Sequence, residues 1–208
     1  MLIVISKSVK RIVTIILVIT AIVIVIQNFK WIARKVYPIH YKDKIETYAK
    51  EYNVDPYLVA AIMKNESKFN PKALSRKEAK GLMQIAPITG DWASQKLKIG
   101  DYDEDMLYDP DLNIKIGCWY LNILHNEFDN NLELIIAAYN AGNGNVTKWL
   151  QDPKYSSNGR TLEEIPFNET KTYLKKVLRD YKIYNIIYAG EIITWQDFLT
   201  LINNMANI

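Results

Sequence analysis

The sequence predicts a mainly α-helical protein in which an N-terminal transmembrane helix precedes one globular domain. After residue 40, apolar residues recur every three or four positions along several stretches, which is the period of an amphipathic helix. The alternating pattern of half-buried strands does not recur, and there is no internal repeat. Because the chain has 208 residues, one domain remains once a membrane segment is subtracted.

The first predicted element is a membrane helix over residues 12–29, which contain no charged side chain. At 1.5 Å per residue, about 18 helical residues span about 27 Å, close to the hydrocarbon thickness of a bilayer. Neither a small-residue cleavage site nor a lipid-modifiable cysteine follows. We therefore interpret the segment as an uncleaved signal anchor between a basic N-terminus (1–11) and a linker (30–40). The alternatives are a cleaved signal peptide and a buried core helix.

Positive charge is concentrated at the two ends of this segment. The formal net charge is +3, but the first 35 residues contain no acidic residue and these basic ones: Lys7, Lys10, Arg11, Lys30, Arg34 and Lys35. The remainder has 20 basic and 23 acidic residues. The domain therefore lacks the basic surface of a nucleic-acid-binding protein.

Cys118 is the only cysteine of the chain, which excludes an internal disulfide and a cysteine-based zinc cluster. It lies in an apolar helical stretch beside Trp119, so we interpret it as a small core residue. We expect neither a metal nor a cofactor.

Start signals mark three helices of the domain. Asp55-Pro56 and Asp109-Pro110 each combine an N-cap acceptor with proline at the first helical position. Asn131 is a third N-cap candidate. Apolar residues follow each signal at helical spacing, so each signal predicts a helix.

The ends of these helices and the last two helices follow from the same patterns. The first helix is predicted to end near Glu66, and Gly142 is placed to end the third. A long helix is predicted over residues 168–188. A last helix over 194–203 would form a C-terminal extension (191–208).

Glu66 is the first candidate for chemistry. Ile62 and Met63 lie one turn before it on the same helix face, and Phe69 follows closely. A carboxyl group in such surroundings would be partly desolvated, which raises its pKa and makes it a usable proton donor near neutral pH. The alternative interpretation is a solvated glutamate at a helix end.

Two other segments have the composition of a ligand site. Residues 81–84 (GLMQ) combine a flexible glycine with the amide of Gln84, which can donate and accept hydrogen bonds. Residues 137–145 place small residues, glycine and asparagine around Tyr139, which allows the backbone to approach a ligand closely. Glu169 begins the long helix, where a carboxylate also complements the helix dipole. Each segment alone is also compatible with an ordinary turn or cap.

Together these segments resemble the lytic transglycosylase catalytic domain, a branch of the lysozyme-like superfamily related to goose-type lysozyme. The matching stretches keep the family's order and close to its spacing; they are residues 65–67, 81–87, 108–121, 137–149 and 165–184. Separate motifs in register are a specific signal. The resemblance implies a lysozyme-like helical fold for a catalytic domain over residues 41–190.

The resemblance also implies roles for particular residues. Glu66 matches the catalytic glutamate. The residues expected to bind substrate are Ser75, Met83, Gln84, Tyr139, Asn140 and Glu169. Among them, Tyr139 matches a tyrosine close to the catalytic centre, and Glu169 matches a second glutamate that contacts the N-acetylated sugar or its peptide.

Three positions depart from the family pattern. Ala86 stands where a second methionine is common, Glu78 where a glycine is common, and Lys171 where an arginine is common. We expect Ala86 to loosen one subsite and Glu78 to reshape the loop before residues 81–84. None of these changes removes the acid.

The reaction that the resemblance implies is cleavage of the MurNAc-β-1,4-GlcNAc bond of peptidoglycan glycan strands with formation of 1,6-anhydro-MurNAc ends. Glu66 would act first as acid and then as base, while the substrate's N-acetyl oxygen stabilises C1. Such a substrate implies a single-pass protein of the cell membrane with its domain on the extracytoplasmic side. The flanking charges, three on each side, do not decide the orientation.

Three other functions fit parts of the sequence. A hydrolytic muramidase of the same superfamily needs a second carboxylate, for which Asp91, Asp101 and Asp103 are candidates by type. A non-catalytic wall-binding module of an envelope-spanning assembly would not need Glu66. A regulatory membrane protein with a helical sensor domain would explain the anchor but not the motifs.

Overall fold

The computed structural model describes residues 7–189. The helices are α1 (Lys7–Val36), α2 (Lys42–Glu51), α3 (Pro56–Ser67), α4 (Pro87–Leu97), α5 (Pro110–Glu127), α6 (Leu132–Ala141), α7 (Asn143–Gln151) and α8 (Asn168–Tyr188), with a 3₁₀ helix at Glu104–Tyr108. The described residues form no extended strand, which confirms the predicted mainly α class. The predicted helix over 194–203 and the extension over 191–208 lie outside the described residues.

α1 is one helix of 30 residues. Its stretch Lys7–Val25 has a mean hydropathy of 2.4, and it is the one span in the described part of the chain that is long and apolar enough to cross a membrane. No part of this stretch is buried against the rest of the protein. It overlaps the segment 12–29 that the sequence predicts to be the anchor.

The structure corrects the predicted linker over residues 30–40. α1 continues through this region to Val36, and only a short non-helical segment separates it from α2. The helix persists here because its last turn has packing partners. Ala33 is 4% exposed and Tyr37, just after the helix, is 2% exposed, both against the domain. The domain is therefore joined to α1 by packed residues.

The predicted helix starts are confirmed. The Asp55 side chain accepts the backbone N–H of Tyr57 at 2.7 Å, and the side chains of Asp109 and Asn131 each accept two backbone N–H groups of the following turn. Gly142 ends α6 with φ 88°, a conformation that glycine adopts without strain. Residues 143–151, which directly follow this glycine, form α7.

The antiparallel pair of α3 and α8 forms the centre of the domain. Residues 58–63 of α3 are at most 1% exposed, so the helix is enclosed on all sides over this stretch. At its start, the ring of Tyr57 lies 6.4 Å from that of Tyr188 near the end of α8. Further along, Asn65 Nδ2 donates to Asp180 Oδ2 at 2.9 Å. This packing brings the end of α3 beside the beginning of α8.

Asn113 on α5 holds the loop that precedes α4. The residue is fully buried, its Oδ1 accepts the N–H of Met83 at 2.7 Å, and its Nδ2 donates to the carbonyls of Lys80 and Leu107 at 2.9 and 2.8 Å. Gly81 has φ 77°, and a Cβ at this position would lie 2.2 Å from the Leu107 carbonyl oxygen. The loop can therefore pass this close to α5 only with glycine at position 81.

Candidate active site

Glu66 lies in the last turn of α3 and is only partly exposed. The chain turns away directly after it, because Lys68 and Phe69 have φ values of 52° and 62°. Burial raises the pKa of the Glu66 carboxyl group from 4.5 to about 7; the Tyr173 hydroxyl opposes this shift, and the negative charge of Glu169 adds to it. The partly desolvated helix-end acid that the sequence predicts is therefore present.

Two tyrosines flank Glu66, Tyr139 partly buried and Tyr173 buried. The Tyr139 hydroxyl donates to the Met83 carbonyl at 2.9 Å, which fixes its ring to the loop. The Tyr173 hydroxyl is buried without a partner in standard hydrogen-bond geometry among the described residues, although it is close enough to lower the pKa of Glu66. Burial, and secondly the charge of Glu66, raise the pKa of both phenols. Both groups therefore stay protonated as possible donors.

Glu169 and Asn140 lie at the junction of α6 and α8. Glu169 is exposed in the first turn of α8. The buried hydroxyl of Thr170 donates to Asn140 Oδ1 at 2.8 Å, which ties the start of α8 to the end of α6. Asn140 therefore has a structural partner as well as a place beside the predicted substrate site.

Gln84 and Ser75 are largely occupied by their own loop. The Gln84 amide nitrogen donates to the carbonyls of Ala73 and Gly81 at 3.1 and 2.9 Å, so its oxygen is the end that can accept from a ligand. Gln84 also has φ 50°, in the left-handed region. Ser75 Oγ accepts the N–H of Ala79 at 3.0 Å, a bond that shapes the turn.

Met83 is placed differently from the expectation that it lines the sugar site. Its side chain is fully buried and packs against Gly117, where a Cβ would lie 2.2 Å from Met83 Sδ. Its backbone bonds Asn113 and Tyr139. The physical reason is loop register: because Asn113 and Tyr139 hold the Met83 backbone, its side chain is directed into the core.

An aromatic run extends from Tyr139 toward solvent. The ring of Tyr139 lies 5.7 Å from that of Tyr120, which lies 6.4 Å from the ring of Trp92 on α4. Trp92 also packs edge-to-face on Trp119 at 4.8 Å and keeps 37% of its surface exposed. Flat apolar rings next to an acid are suited to contact a sugar ring.

A second buried acid lies behind Glu66. Asp180 on α8 is 1% exposed, and its carboxylate accepts from Lys64 at 3.2 Å, Asn65 at 2.9 Å and Arg179 at 3.1 Å. Lys64 and Asn65 directly precede Glu66 in the chain. This cluster fixes the last turn of α3 against α8.

The other candidate carboxylates are not among the groups that shift the pKa of Glu66. Asp91 and Asp103 both raise the pKa of Tyr102, a secondary effect after burial, on the side of the domain near α4. The carboxylate that acts on Glu66 is Glu169. In residues 7–189 there is also no cluster of three or more histidine, cysteine or acidic side chains that could hold a metal ion.

Four residues around the candidate site, Tyr120, Tyr173, Trp92 and Asn113, were not predicted from the sequence to be site residues. Tyr173 follows Glu169 by four residues, a spacing that puts both on one face of α8, and this was a usable signal. Trp92 and Asn113 had no such signal. The pairing of Asp180 with Lys64 joins residues 116 positions apart, which local patterns do not reveal.

The arrangement defines a class of protein. One carboxyl group with a pKa of about 7 can donate a proton and take one back near neutral pH, and tyrosine hydroxyls and an aromatic surface adjoin it. A helical domain with these features is suited to acid–base chemistry on a glycan.

Comparisons with known proteins agree with this class. Residues 43–160 match the family described as Transglycosylase SLT domain. The soluble lytic murein transglycosylase of Salmonella typhimurium is 37% identical over 161 residues, covering 74% of this chain and 24% of that protein. The membrane-bound lytic murein transglycosylase C of Edwardsiella ictaluri is 34% identical over 168 residues, covering 71% and 47%.

A solved structure shares the fold. The inactive glutamate-to-glutamine mutant of the lytic transglycosylase Slt of Pseudomonas aeruginosa superposes with a TM-score of 0.65 at 32% identity, covering 77% of this chain and 26% of that one. The chain belongs to the Transglycosylase SLT domain family. It spans about a quarter of the length of the soluble relatives it matches.

Proposed function

We propose that the protein is a peptidoglycan lytic transglycosylase that cleaves the MurNAc-β-1,4-GlcNAc bond and leaves 1,6-anhydro-MurNAc ends. The observation that carries the proposal is Glu66, a helix-end carboxyl group whose pKa is raised to about 7. Family membership and the names of the relatives support it.

In the first step, the protonated Glu66 carboxyl group gives its proton to the glycosidic oxygen as the bond from C1 of MurNAc to that oxygen breaks. The GlcNAc part leaves with a new hydroxyl group. The acetamido oxygen of the same MurNAc stabilises the positive charge that develops at C1. The substrate thereby supplies the group that a second protein carboxylate supplies in ordinary glycosidases.

In the second step, the Glu66 carboxylate takes the proton from the C6 hydroxyl group as its oxygen bonds to C1. This closes the 1,6-anhydro ring and restores the protonated acid, so no water is consumed. A pKa near the working pH favours both transfers by one group. Tyr173 is placed to donate to the ionised carboxylate between the steps, since it already lowers the pKa of Glu66.

The remaining candidate residues would bind the substrate. The Gln84 oxygen is available as an acceptor, and the exposed Glu169 lies at the rim of the site. Tyr139, Tyr120 and Trp92 form an aromatic surface for the glycan. Ser75 and Asn140 would act mainly by holding the loop and the start of α8 in place.

The test is digestion of purified peptidoglycan sacculi by the full chain in detergent micelles, with mass spectrometry of the products. We expect 1,6-anhydro products from the wild type and a rate at least about 10²-fold lower for Glu66→Gln, as for loss of a general acid–base. Glu133→Gln, an exposed glutamate on α6, is the matched control and should digest normally. Products one water heavier would indicate a muramidase, and a normal rate for Glu66→Gln would disprove the assigned acid.

We also infer that α1 crosses the cell membrane once and places the domain on the extracytoplasmic side, where peptidoglycan lies. The apolar side chains between Ile12 and Val25 are 44–63% exposed, a surface suited to lipid. A membrane-bound relative fits this placement.

Labelling of intact cells with a membrane-impermeant maleimide tests the orientation. Cys118 is buried, so cysteines introduced at exposed positions are the ones that react. Lys96→Cys in the domain should label, whereas Ser8→Cys at the other end of α1 should not. The reverse pattern would refute the proposed topology.

A further inference from the structure

We propose that Arg34, Tyr37 and Tyr188 form a clasp that locks α1 to the catalytic domain and so holds the candidate site around Glu66 at one height and angle above the membrane. They would be positioning residues that decide which part of a glycan Glu66 can reach. The proposal rests on the proposed function for the identity of the substrate and for the membrane around α1. The packing of the clasp is independent of both.

Arg34 forms the first half of the clasp. Its Nη2 donates to the backbone carbonyl of Ile187 at 3.4 Å, and its guanidinium carbon lies 5.2 Å from the ring centroid of Tyr188. Ala33, one position earlier, is 4% exposed, so the small side chain lets α1 approach closely. The last turn of α1 is thus joined to the last turn of α8.

The residues just after α1 form the second half. The Tyr188 hydroxyl donates to the Tyr37 carbonyl at 2.9 Å, and the Tyr184 hydroxyl donates to the Pro38 carbonyl at 3.4 Å. The Tyr37 ring is 2% exposed and packs edge-on to Tyr184 at 5.9 Å. The chain therefore leaves α1 through buried, hydrogen-bonded residues, which a flexible tether would not have.

The clasp continues to the catalytic helix. The Lys64 ammonium lies 3.5 Å from the centroid of the Tyr37 ring and 3.2 Å from Asp180. Lys64 precedes Glu66 by two positions, and Asn65 bonds the same aspartate. A displacement of α1 would therefore have to disturb the packing of the α3 turn that carries the acid.

The candidate site around Glu66 lies at the opposite end of α8 from the clasp. Tyr188 is in the clasp, whereas Tyr173 lies beside Glu66. At 1.5 Å per residue, this part of α8 spans about 22 Å. A rigid connection between the clasp and Glu66 would confine Glu66 to one band of the glycan layer, whereas a flexible tether would allow Glu66 to reach glycan on both sides of that band.

Spin-label distances in vesicles test the rigidity of the clasp. Nitroxides at Val18→Cys on α1 and Lys96→Cys on α4 report the angle between α1 and the domain, and Cys118 is too buried to react. The variants are Arg34→Ala/Tyr188→Phe, a Gly-Ser insertion between residues 36 and 37, and the control Lys35→Ala/Tyr155→Phe. We expect a narrow distance distribution for wild type and control and a broad one for the two others.

Tethered glycan strands test the consequence for cleavage. Strands bound at one end to the same vesicles by a lipid tail are digested, and the lengths of the stubs left on the tether are measured. We expect a narrow range of stub lengths for the wild type and a wider range for both the clasp variant and the insertion. Cleavage of free strands should change by less than about twofold, as for substitutions away from a site.

Three results would overturn the proposal. A wild-type distance distribution as broad as that of the insertion would show a free tether, and equal stub ranges in all variants would show that the clasp does not limit reach. A narrow distribution for Arg34→Ala/Tyr188→Phe would remove these residues as the cause. If the wild type forms no anhydro ends on free strands, the proposed function fails, while the distances still decide whether the clasp exists.

Discussion

The two buried acids on the facing helices α3 and α8 have opposite surroundings. Asp180 is almost fully enclosed, and two cationic side chains and an amide surround its carboxylate. Glu66 is less enclosed, yet burial raises its pKa to about 7, and the Tyr173 hydroxyl group beside it does not reach standard hydrogen-bond geometry. This difference shows that burial alone does not determine whether a carboxyl group is structural or available for proton transfer. A carboxylate with its donors in place stabilises the fold, and one without them remains available for proton transfer.

Removing the charge of Asp180 should have the largest effect. Asp180→Asn leaves Lys64 and Arg179 without their anionic partner in a mostly buried place, so we expect a loss of about 3 kcal/mol in the free energy of unfolding. Urea denaturation of the full chain in micelles, followed by tryptophan fluorescence, measures it. Asp152→Asn, at an exposed site, is the control. If Asp180→Asn lowers the free energy of unfolding no more than the control does, Asp180 does not have the stabilising role that distinguishes it from Glu66.

Removing the charge of Glu66 should instead increase the free energy of unfolding. The folded state raises the pKa from 4.5 to about 7, so the carboxyl contribution to stability is fully present below pH 4.5 and is lost as pH rises through 7. Glu66→Gln avoids this loss. The difference in free energy of unfolding between the variant and the wild type should therefore shift by up to about 3 kcal/mol in favour of the variant between low pH and pH above 7. Unfolding curves from pH 4 to 8.5 measure the gain. A parallel pH dependence of the two proteins would contradict the raised pKa.

Asn65 sharpens the comparison because it joins the two regions. Asn65→Leu removes one donor from Asp180 and leaves Lys64 and Arg179, so we expect a loss of about 1–2 kcal/mol in the free energy of unfolding. The same denaturation assay applies, with Asn126→Leu at an exposed position of α5 as control. A loss as large as that of Asp180→Asn would mean that the amide, and not the ion pairs, holds the cluster.

The smallest expected effects are shifts in the pH dependence of cleavage. The proposed reaction needs protonated Glu66, so its rate should fall as pH rises through about 7. Glu169→Gln removes a charge that raises this pKa and should move the falling limb to lower pH. Tyr173→Phe removes a hydroxyl that lowers it and should move the limb to higher pH. The measurement is the rate of sacculus digestion by each variant across the pH range. If the falling limb shifts in the same direction in both variants, the opposite effects assigned to Glu169 and Tyr173 are refuted.

The sequence predicted the parts of the fold that depend on local chemistry. The caps at Asp55, Asp109 and Asn131 and the terminator at Gly142 lie where they were expected, because each satisfies backbone groups within one turn. The linker was misjudged because the local sequence does not show what residues 30–36 pack against. Their helix is stabilised by contacts with α8, about 150 positions away in the chain.

Within the candidate site, the sequence predicted Glu66 as the candidate acid but did not predict its surroundings. Glu66 could be predicted from a helix end, apolar neighbours and the family motif. The inward direction of Met83 could not, because Asn113 and Tyr139 set the register of its loop from other helices. The aromatic run to Trp92 likewise joins side chains from α4, α5 and α6.

Gln84 limits which sequences this site can accept. Its left-handed backbone is strained by about 1 kcal/mol or more for a residue with a side chain, and the bonds from its own amide to Ala73 and Gly81 hold it there. Glycine would relieve the strain but remove both bonds, and glutamate would place negative oxygens against two carbonyls. Substitution of Gln84 by either glycine or glutamate is therefore expected to destabilise the loop. Position 84 should accordingly vary less among related sequences than the loop around it.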